Sequence, residues 1–249
     1  MPTQAVSSYW KLSRAPRYSV VFAIPLLVLY EALAAVLSTP EGGGMRNGAD
    51  VLLRSAFYAG AGRYGPLVFG LVLIGVAIWL VGRDLKRAGG PLRPRIFAAM
   101  FAESAVLAGV FGLVIGTLTA RLLTPFSATL ATGALQASQE GLATRLMLSL
   151  GAGLYEELLF RVLLVSGLLL VARRFMGWGP ALANVFAVTL GALIFSAFHY
   201  IGPYGDPLRL DSFVFRAIAG VAFSALYVVR GFGITAWTHA LYDILVLVF

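Results

Sequence analysis

Residues 180–200 read PALANVFAVTLGALIFSAFHY, a run of 21 residues without a single Asp, Glu, Lys or Arg. A helix needs about 20 mainly apolar residues to cross the hydrocarbon core of a bilayer. Apart from the phenol of Tyr200, the only ionisable side chain of the run is His199, and both lie at its end. The run therefore predicts a transmembrane helix with a histidine at one end.

Similar apolar runs lie on both sides and predict a polytopic transmembrane helix bundle of about seven spans. The other spans are Ser19–Ser38, Pro66–Val81, Ile96–Leu123, Leu142–Val171, Ser212–Val229 and Phe232–Phe249. Asp50–Gly62 is a candidate extra amphipathic helix at the membrane interface. Leu142–Val171 is too long for one straight crossing, so it is expected to tilt, protrude or break, with Gly151 and Gly153 as possible break points. We therefore predict an all-α fold in which residues 1–249 form a single integral membrane domain.

The composition of the 249-residue chain excludes several classes of protein. Hydrophobic residues make up 59% of the chain and charged residues only 12%, whereas soluble domains are about 25% charged. A soluble enzyme and an intrinsically disordered chain are both excluded by this balance. The chain has no cysteine, which excludes a disulfide scaffold, an iron–sulfur cluster, a Cys-ligated zinc site and a cysteine nucleophile.

The net charge of +8 indicates membrane topology and contact with anionic lipid, because its basic residues cluster between apolar runs. No basic face with interleaved aromatic residues is present, so nucleic acid is not an expected partner. Lys and Arg favour cytoplasmic loops. We therefore predict a multi-pass protein of the inner (plasma) membrane with a cytoplasmic N-terminus and an extracytoplasmic C-terminus. The basic residues of the loops are Arg83, Lys86, Arg87, Arg93, Arg95, Arg173, Arg174 and Arg230.

The sequence YEELLFR, residues 155–161, holds the densest group of charges within an apolar run. An ionisable side chain at membrane depth is costly unless it is paired or hydrated. Glu157 and Arg161 are four residues apart, so they share one helix face and are expected to pair. Glu156 lies about 100° further round the helix and lacks that partner. Glu156 is therefore the carboxylate that is free for a chemical role.

Both histidines of the chain lie in later apolar runs. His199 ends FSAFH, residues 195–199, and His239 opens HALYD, with Asp243 one helical turn further on. Two chemistries fit this group. In one, Glu156 and a histidine deprotonate a water that attacks an amide carbonyl, while the second histidine stabilises the oxyanion. In the other, one Glu, two His and one Asp bind zinc, although the HExxH pattern of many zinc proteases is absent.

Glu31 and Glu103 also lie within predicted spans. Glu31 is expected to form hydrogen bonds between helices. Glu103 is expected to form a structural pair with Arg121 or Arg145. The alternatives are contact with the site for Glu103 and a substrate or proton role for Glu31.

The three charged segments resemble the motifs of the CPBP family (CAAX proteases and bacteriocin-processing enzymes, also called the Abi family) of intramembrane proteases. The family motifs EExxxR, FxxxH and HxxxN or HxxxD correspond here to residues 156–161, 195–199 and 239–243, in the same order and spacing. The resemblance covers residues 142–249, which would form the catalytic core.

The resemblance implies a peptidase that cuts a peptide bond within or near the bilayer. Glu156 and His199 would activate the water, and His239 and Asp243 would form the oxyanion side. The Glu157–Arg161 pair would support Glu156 by orienting it. A glutamic-type peptidase without a cofactor is favoured. The alternative is a metallo-type peptidase in which Glu156, His199, His239 and Asp243 bind zinc.

Asp243 departs from the CAAX-cleaving members, which carry Asn at this position of the third motif. An ionised carboxylate cannot donate a hydrogen bond to an oxyanion, so Asp243 is protonated, orients His239 or binds a metal. The departure favours the zinc alternative and counts against a prenyl-protein substrate. The predicted topology opens the site to the extracytoplasmic side, which favours a membrane-associated or exported protein as substrate, with sorting-type processing near its C-terminus. The alternatives are a zinc-dependent CAAX-type prenyl-protein endopeptidase and, in another class, a proton-coupled transporter or a non-catalytic membrane scaffold.

Overall fold

The computed structural model describes residues 2–38, 44–88, 90–123, 141–202 and 205–248. Within these ranges the chain is helical and forms no strand, which confirms the all-α prediction. A 3₁₀ turn at Gly62–Tyr64 and a π-helix at Ala152–Val165 interrupt the α-helices. The α-helices are α1 (Pro2–Arg14), α2 (Pro16–Leu37), α3 (Gly48–Ala61), α4 (Gly65–Ala88), α5 (Pro94–Leu123), α6 (Leu142–Gly151), α7 (Ser166–Arg174), α8 (Pro180–Phe198), α9 (Leu210–Arg230) and α10 (Phe232–Val248).

Five helical segments are long and apolar enough to cross a membrane: Pro16–Leu37, Gly48–Arg87, Pro94–Leu122, Pro180–Phe198 and Leu210–Arg230. Between 11% and 33% of the residues in their apolar windows are buried inside the bundle. Their outward faces therefore suit contact with lipid.

The two remaining predicted spans, Leu142–Val171 and Phe232–Phe249, are also helical over their described residues. That these two helices cross the membrane stays a prediction. The division into one membrane domain, residues 1–249, with a catalytic core at residues 142–249, also stays a prediction.

The candidate interfacial helix over Asp50–Gly62 corresponds to α3, which folds back against α4. The turn between them is tight at Gly65, where a Cβ would lie 2.4 Å from the backbone of Tyr58. Asn47 caps the start of α3, because its side-chain oxygen accepts the N–H of Ala49 at 2.9 Å. The position of α3 at a membrane interface stays a prediction.

The centre of the bundle is α10, which packs against α2, α5, α6, α9 and the π-helix. Gly231, with φ at 78°, provides the left-handed turn that ends α9 and starts α10. Gly153 lets the π-helix approach α10, since a Cβ there would lie 2.4 Å from the carbonyl oxygen of Ala236. This close approach brings the next turn of the π-helix, with its two carboxylates, beside α10.

The long helix of residues 142–174 continues through Gly151 and Gly153, so neither possible break point is used. It widens instead into a π-helix of 14 residues. At Gly151 a Cβ would meet the ring of Tyr30 at 2.5 Å, so both glycines serve close helix packing. π-Helical turns are rare and occur frequently at functional sites. This one contains the whole charged segment at residues 155–161.

Glu103 pairs with Arg230, with 2.5 Å between Oε1 and Nε, and accepts a hydrogen bond from Tyr9. The predicted pairing with Arg121 or Arg145 is wrong. Arg121 lies on the same helix, roughly 27 Å further along, while the end of α9 brings Arg230 to α5. Glu31 accepts hydrogen bonds from three other segments of the fold, which confirms its predicted role between helices.

Candidate active site

The π-helix presents its two neighbouring carboxylates to different partners. Glu156 Oε1 accepts a hydrogen bond from the side-chain amide of Asn47 at 2.8 Å. Glu157 Oε1 lies 3.2 Å from Arg161 Nη1 and accepts a hydrogen bond from His239 Nδ1 at 2.6 Å. The pairing of Glu157 with Arg161, predicted from their spacing, is confirmed. Glu157 thus contacts a guanidinium and an imidazole, so it holds the third motif as well as its own arginine.

Arg161 is completely buried. Its guanidinium lies over the rings of Phe195 and Phe223, at 4.5 and 5.8 Å from their centroids. Among the described residues its nitrogens have no hydrogen-bond partner. The ion pair with Glu157 and the contacts with the two aromatic faces therefore offset the cost of burying its positive charge. Phe195 is the first residue of the FxxxH motif, and this contact couples the first motif to the second.

His239 lies between two carboxylates on α10 and the π-helix. Its Nδ1 donates to Glu157, and its Nε2 lies 3.7 Å from Asp243 Oδ2. That second distance is too long for a hydrogen bond, so Asp243 lies beside the imidazole without bonding to it. Phe223 stacks on the other face of His239, with ring centroids 4.3 Å apart. The ring is therefore fixed by one hydrogen bond and one aromatic stack.

His199 follows the last residue of α8 and is oriented by its own motif. Its Nδ1–H donates to the carbonyl of Phe195 at 2.9 Å, and the two rings meet edge to face at 4.9 Å. This hydrogen bond fixes the tautomer of a neutral ring and leaves Nε2 as an acceptor. Glu156 lies close enough to interact electrostatically with both His199 and His239. The structure thus brings the predicted residues from three helices to one region of the bundle.

A polar network on α2 and α3 supports Asn47. The backbone N–H of Asn47 donates to the hydroxyl of Tyr30 at 3.1 Å, and that hydroxyl donates to Asp50 at 2.9 Å. Two arginines each pair with both carboxylates of the network. A tyrosine of the π-helix donates a hydrogen bond to one of these carboxylates at 2.8 Å. These further members are Glu31, Arg46, Arg54 and Tyr155. Asn47 is therefore held at its backbone, its side-chain oxygen and its side-chain nitrogen.

Asn47 and Phe223 are the site residues that the sequence did not identify. Asn47 precedes Glu156 by 109 residues and lies outside the segment that carries the motifs. Its one local signal is the position just before a helix, where Asn is a common cap. Phe223 lies in an apolar span among many similar residues and has no distinguishing signal.

Metal binding by the site stays a prediction, and so does the choice between a glutamic-type and a metallo-type peptidase. Among the described residues, which include Glu156, His199, His239 and Asp243, no group of three or more His, Asp or Glu side chains is placed to hold a metal ion.

Comparison with known families identifies the segment that holds the site. The family model for type II CAAX prenyl endopeptidases, Rce1-like, matches residues 138–245. Comparisons with curated proteins and with solved structures gave no match. The matched segment contains all three motifs, and this family implies a peptidase in a membrane, with the bilayer and a membrane protein as its partners. This segment, less than half of the chain, matches the CPBP family.

Proposed function

We propose that this chain is a glutamic-type intramembrane endopeptidase that hydrolyses a peptide bond of a membrane-associated or exported protein. The observation that carries the proposal is that the neighbouring carboxylates, Glu156 and Glu157, have different hydrogen-bonding and ion-pair partners. Glu157 is bound to Arg161 and His239. Glu156 contacts only a neutral amide donor among the hydrogen bonds of the described residues, which leaves a carboxylate oxygen for a water.

The first half of the reaction is the attack of water. Glu156 accepts a proton from the water, assisted by the free Nε2 of His199, and the water oxygen forms a bond to the carbonyl carbon of the substrate. The carbonyl oxygen becomes an oxyanion in a tetrahedral intermediate. The proton then passes to the leaving amine, the C–N bond breaks, and the products are a carboxylic acid and an amine.

His239 supports this reaction as the oxyanion donor. A ring protonated on both nitrogens can donate Nδ1–H to Glu157 and Nε2–H to the oxyanion. Asp243 Oδ2, at 3.7 Å from Nε2, then balances the charge of the ring, while Glu157 orients it. This assignment gives the Asp of the third motif a role that needs no hydrogen-bond donor.

We expect cleavage by the purified full-length protein to survive metal removal. The assay uses vesicles containing the protein and a fluorescent peptide with a C-terminal membrane anchor, with and without a farnesylated CAAX end. After chelation and elemental analysis for zinc, the initial rate should change less than twofold, because Glu156 supplies the base. A loss of activity on chelation that added zinc restores would favour the zinc-dependent alternative. Faster cleavage of the farnesylated peptide would favour a prenyl-protein substrate.

Asn47 acts on Glu156 as a positioning residue. Replacing Asn47 with Ser keeps a good helix cap but removes the amide donor to the carboxylate. We expect kcat to fall roughly 10-fold, consistent with the loss of about 1.5 kcal/mol from a hydrogen bond to a charged group, while KM stays within twofold. Asn47→Ala, which removes the cap as well, should show the same fall in kcat and a lower unfolding temperature. An unchanged kcat in both variants would contradict this role.

The predicted orientation places the candidate site at the extracytoplasmic end of the bundle. The start of α3 meets the end of α8, where Gly48 lies against Phe198. At the other end the basic segments meet, with Arg17 paired to Asp84 and Arg14 bonded to the carbonyl of Val228. Lys and Arg on that end support a cytoplasmic location for it.

Because the chain has no native cysteine, single cysteines can test this orientation. Leu208 and Phe175 are 75% and 78% exposed and lie in the connections at opposite ends of α8. A membrane-impermeant maleimide should label Leu208→Cys in intact cells, but Phe175→Cys only after permeabilisation. The reverse pattern would place the site at the cytoplasmic face.

A further inference from the structure

A cleft of about 720 Å³ lies behind the π-helix and is separate from the candidate active site. Its walls come from α2, α4, the π-helix, α7, α8 and the junction of α9 with α10. Glu156, His199, His239 and Asp243 do not line it. The cleft therefore needs an explanation of its own, independent of the proposed peptidase.

The walls of the cleft change from apolar to charged along its length. One face of the continuous helix at residues 152–174 shows this change directly, since its lining residues recur every three or four positions. In order, they are Leu154, Leu158, Val162, Ser166, Leu169 and Arg173. From Leu158 to Arg173 the helix rises roughly 20 Å, more than the roughly 15 Å of hydrocarbon in one leaflet.

The polar end of the cleft coincides with the basic end of the bundle. Arg14, at the end of α1, lines the cleft together with Arg173, and both residues are exposed. Asn184 and Tyr227 line the same region, one turn into α8 and one turn before the end of α9. Far from them, α2 and α4 contribute apolar side chains such as Leu27 and Leu73.

We propose that this cleft binds one anionic phospholipid. Its phosphate would bind Arg14 and Arg173, and an acyl chain would lie along α2, α4 and the π-helix as far as Leu158. An amphiphile matches the wall polarity, with its charged group at the arginines and its apolar chain towards Leu27. Two guanidinium groups at the mouth select a negative head group over a zwitterionic one. The arginines also lie at the end that the distribution of Lys and Arg assigns to the cytoplasmic leaflet.

Native mass spectrometry of the purified full-length protein tests the proposal. The protein is delipidated in a non-ionic detergent and titrated with dioleoyl phosphatidylglycerol or dioleoyl phosphatidylcholine. We expect one phosphatidylglycerol per chain, bound at least 10-fold more tightly than phosphatidylcholine. The Arg14→Gln/Arg173→Gln variant should bind phosphatidylglycerol roughly 30-fold more weakly, at about 1 kcal/mol for each arginine. The matched control is Arg87→Gln/Arg174→Gln, which removes two exposed arginines that do not line the cleft and should bind like the original protein.

Two further probes test the separate contributions of the acyl chains and of the charged head group to binding. Dihexanoyl phosphatidylglycerol should bind more weakly than the dioleoyl lipid, because its short chains cannot fill the apolar part of the cleft. Glycerol phosphate, which has the charge without the chains, should not compete. Equal binding of the two dioleoyl lipids, an unchanged preference in Arg14→Gln/Arg173→Gln, or competition by glycerol phosphate would each overturn the proposal.

Discussion

Replacing Glu156 with Gln should abolish peptide-bond cleavage and leave the helix bundle folded. Gln keeps the shape of the side chain, and its amide oxygen can still accept the hydrogen bond from Asn47. The variant therefore loses basicity and little else. General-base catalysis contributes about 10²–10⁴-fold to a rate, so we expect the initial rate in vesicles to fall by at least about 100-fold. The unfolding temperature of the detergent-solubilised protein, measured in parallel, should stay close to that of the original.

Asp84→Asn is the control for loss of a carboxylate. Asp84 lies at the basic end of the bundle, 3.5 Å from Arg17, and cleavage should stay within twofold when it is replaced. Full cleavage by the Glu156→Gln variant would place the general base elsewhere. A cellular phenotype that survives Glu156→Gln would favour the scaffold alternative. Loss of ion flux without any processing defect would favour the transporter.

Replacing Arg161 with Ala should destabilise the protein by about 3–5 kcal/mol, because it leaves a buried carboxylate without its cation. Arg161 and Glu157 are both completely buried, so water cannot compensate for the lost charge. The same substitution removes the guanidinium from between the rings of Phe195 and Phe223. Reversible unfolding in mixed micelles, followed by circular dichroism, measures the change in the free energy of unfolding.

Two variants test whether the loss of stability comes from the unpaired buried charge or from the removal of any arginine side chain. Arg174→Ala removes an exposed arginine of the same helix and should change stability by less than about 0.5 kcal/mol. Glu157→Gln/Arg161→Met removes both charges and should recover part of the stability lost in Arg161→Ala. It should not recover cleavage, since Glu157 also holds His239. A loss of less than about 1 kcal/mol in Arg161→Ala would contradict a structural role for the pair.

The sequence predicted those features that depend on composition or on spacing within one helix. Long apolar runs identified most helices of the described chain, because a bilayer demands about 20 apolar residues in succession. They did not identify α1, which is not an apolar run. A separation of four residues correctly placed Glu157 beside Arg161 and His239 near Asp243, since both pairs follow from the helical repeat. The order of the three motifs was sufficient to identify the family.

Contacts between distant helices could not be predicted in the same way. The bond from Asn47 to Glu156 and the pair of Glu103 with Arg230 depend on how the helices pack, and no local pattern encodes that packing. Gly153 illustrates the difficulty. A glycine in a long apolar run can break a helix or admit a neighbour, and only the approach of Ala236 shows that this one does the latter. The π-helix, for the same reason, had no signal in the sequence.

Because Asn47 lies outside the segment with the three motifs, its hydrogen bond to Glu156 predicts that this segment is not active by itself. A shortened protein starting at residue 138 would retain every motif, yet Glu156, the proposed general base, would lack the amide donor that Asn47 supplies just before α3. Two halves expressed as separate polypeptides should accordingly regain hydrolysis only when they associate. The N-terminal helices would then act as a subunit that happens to be joined to the catalytic segment by a peptide bond.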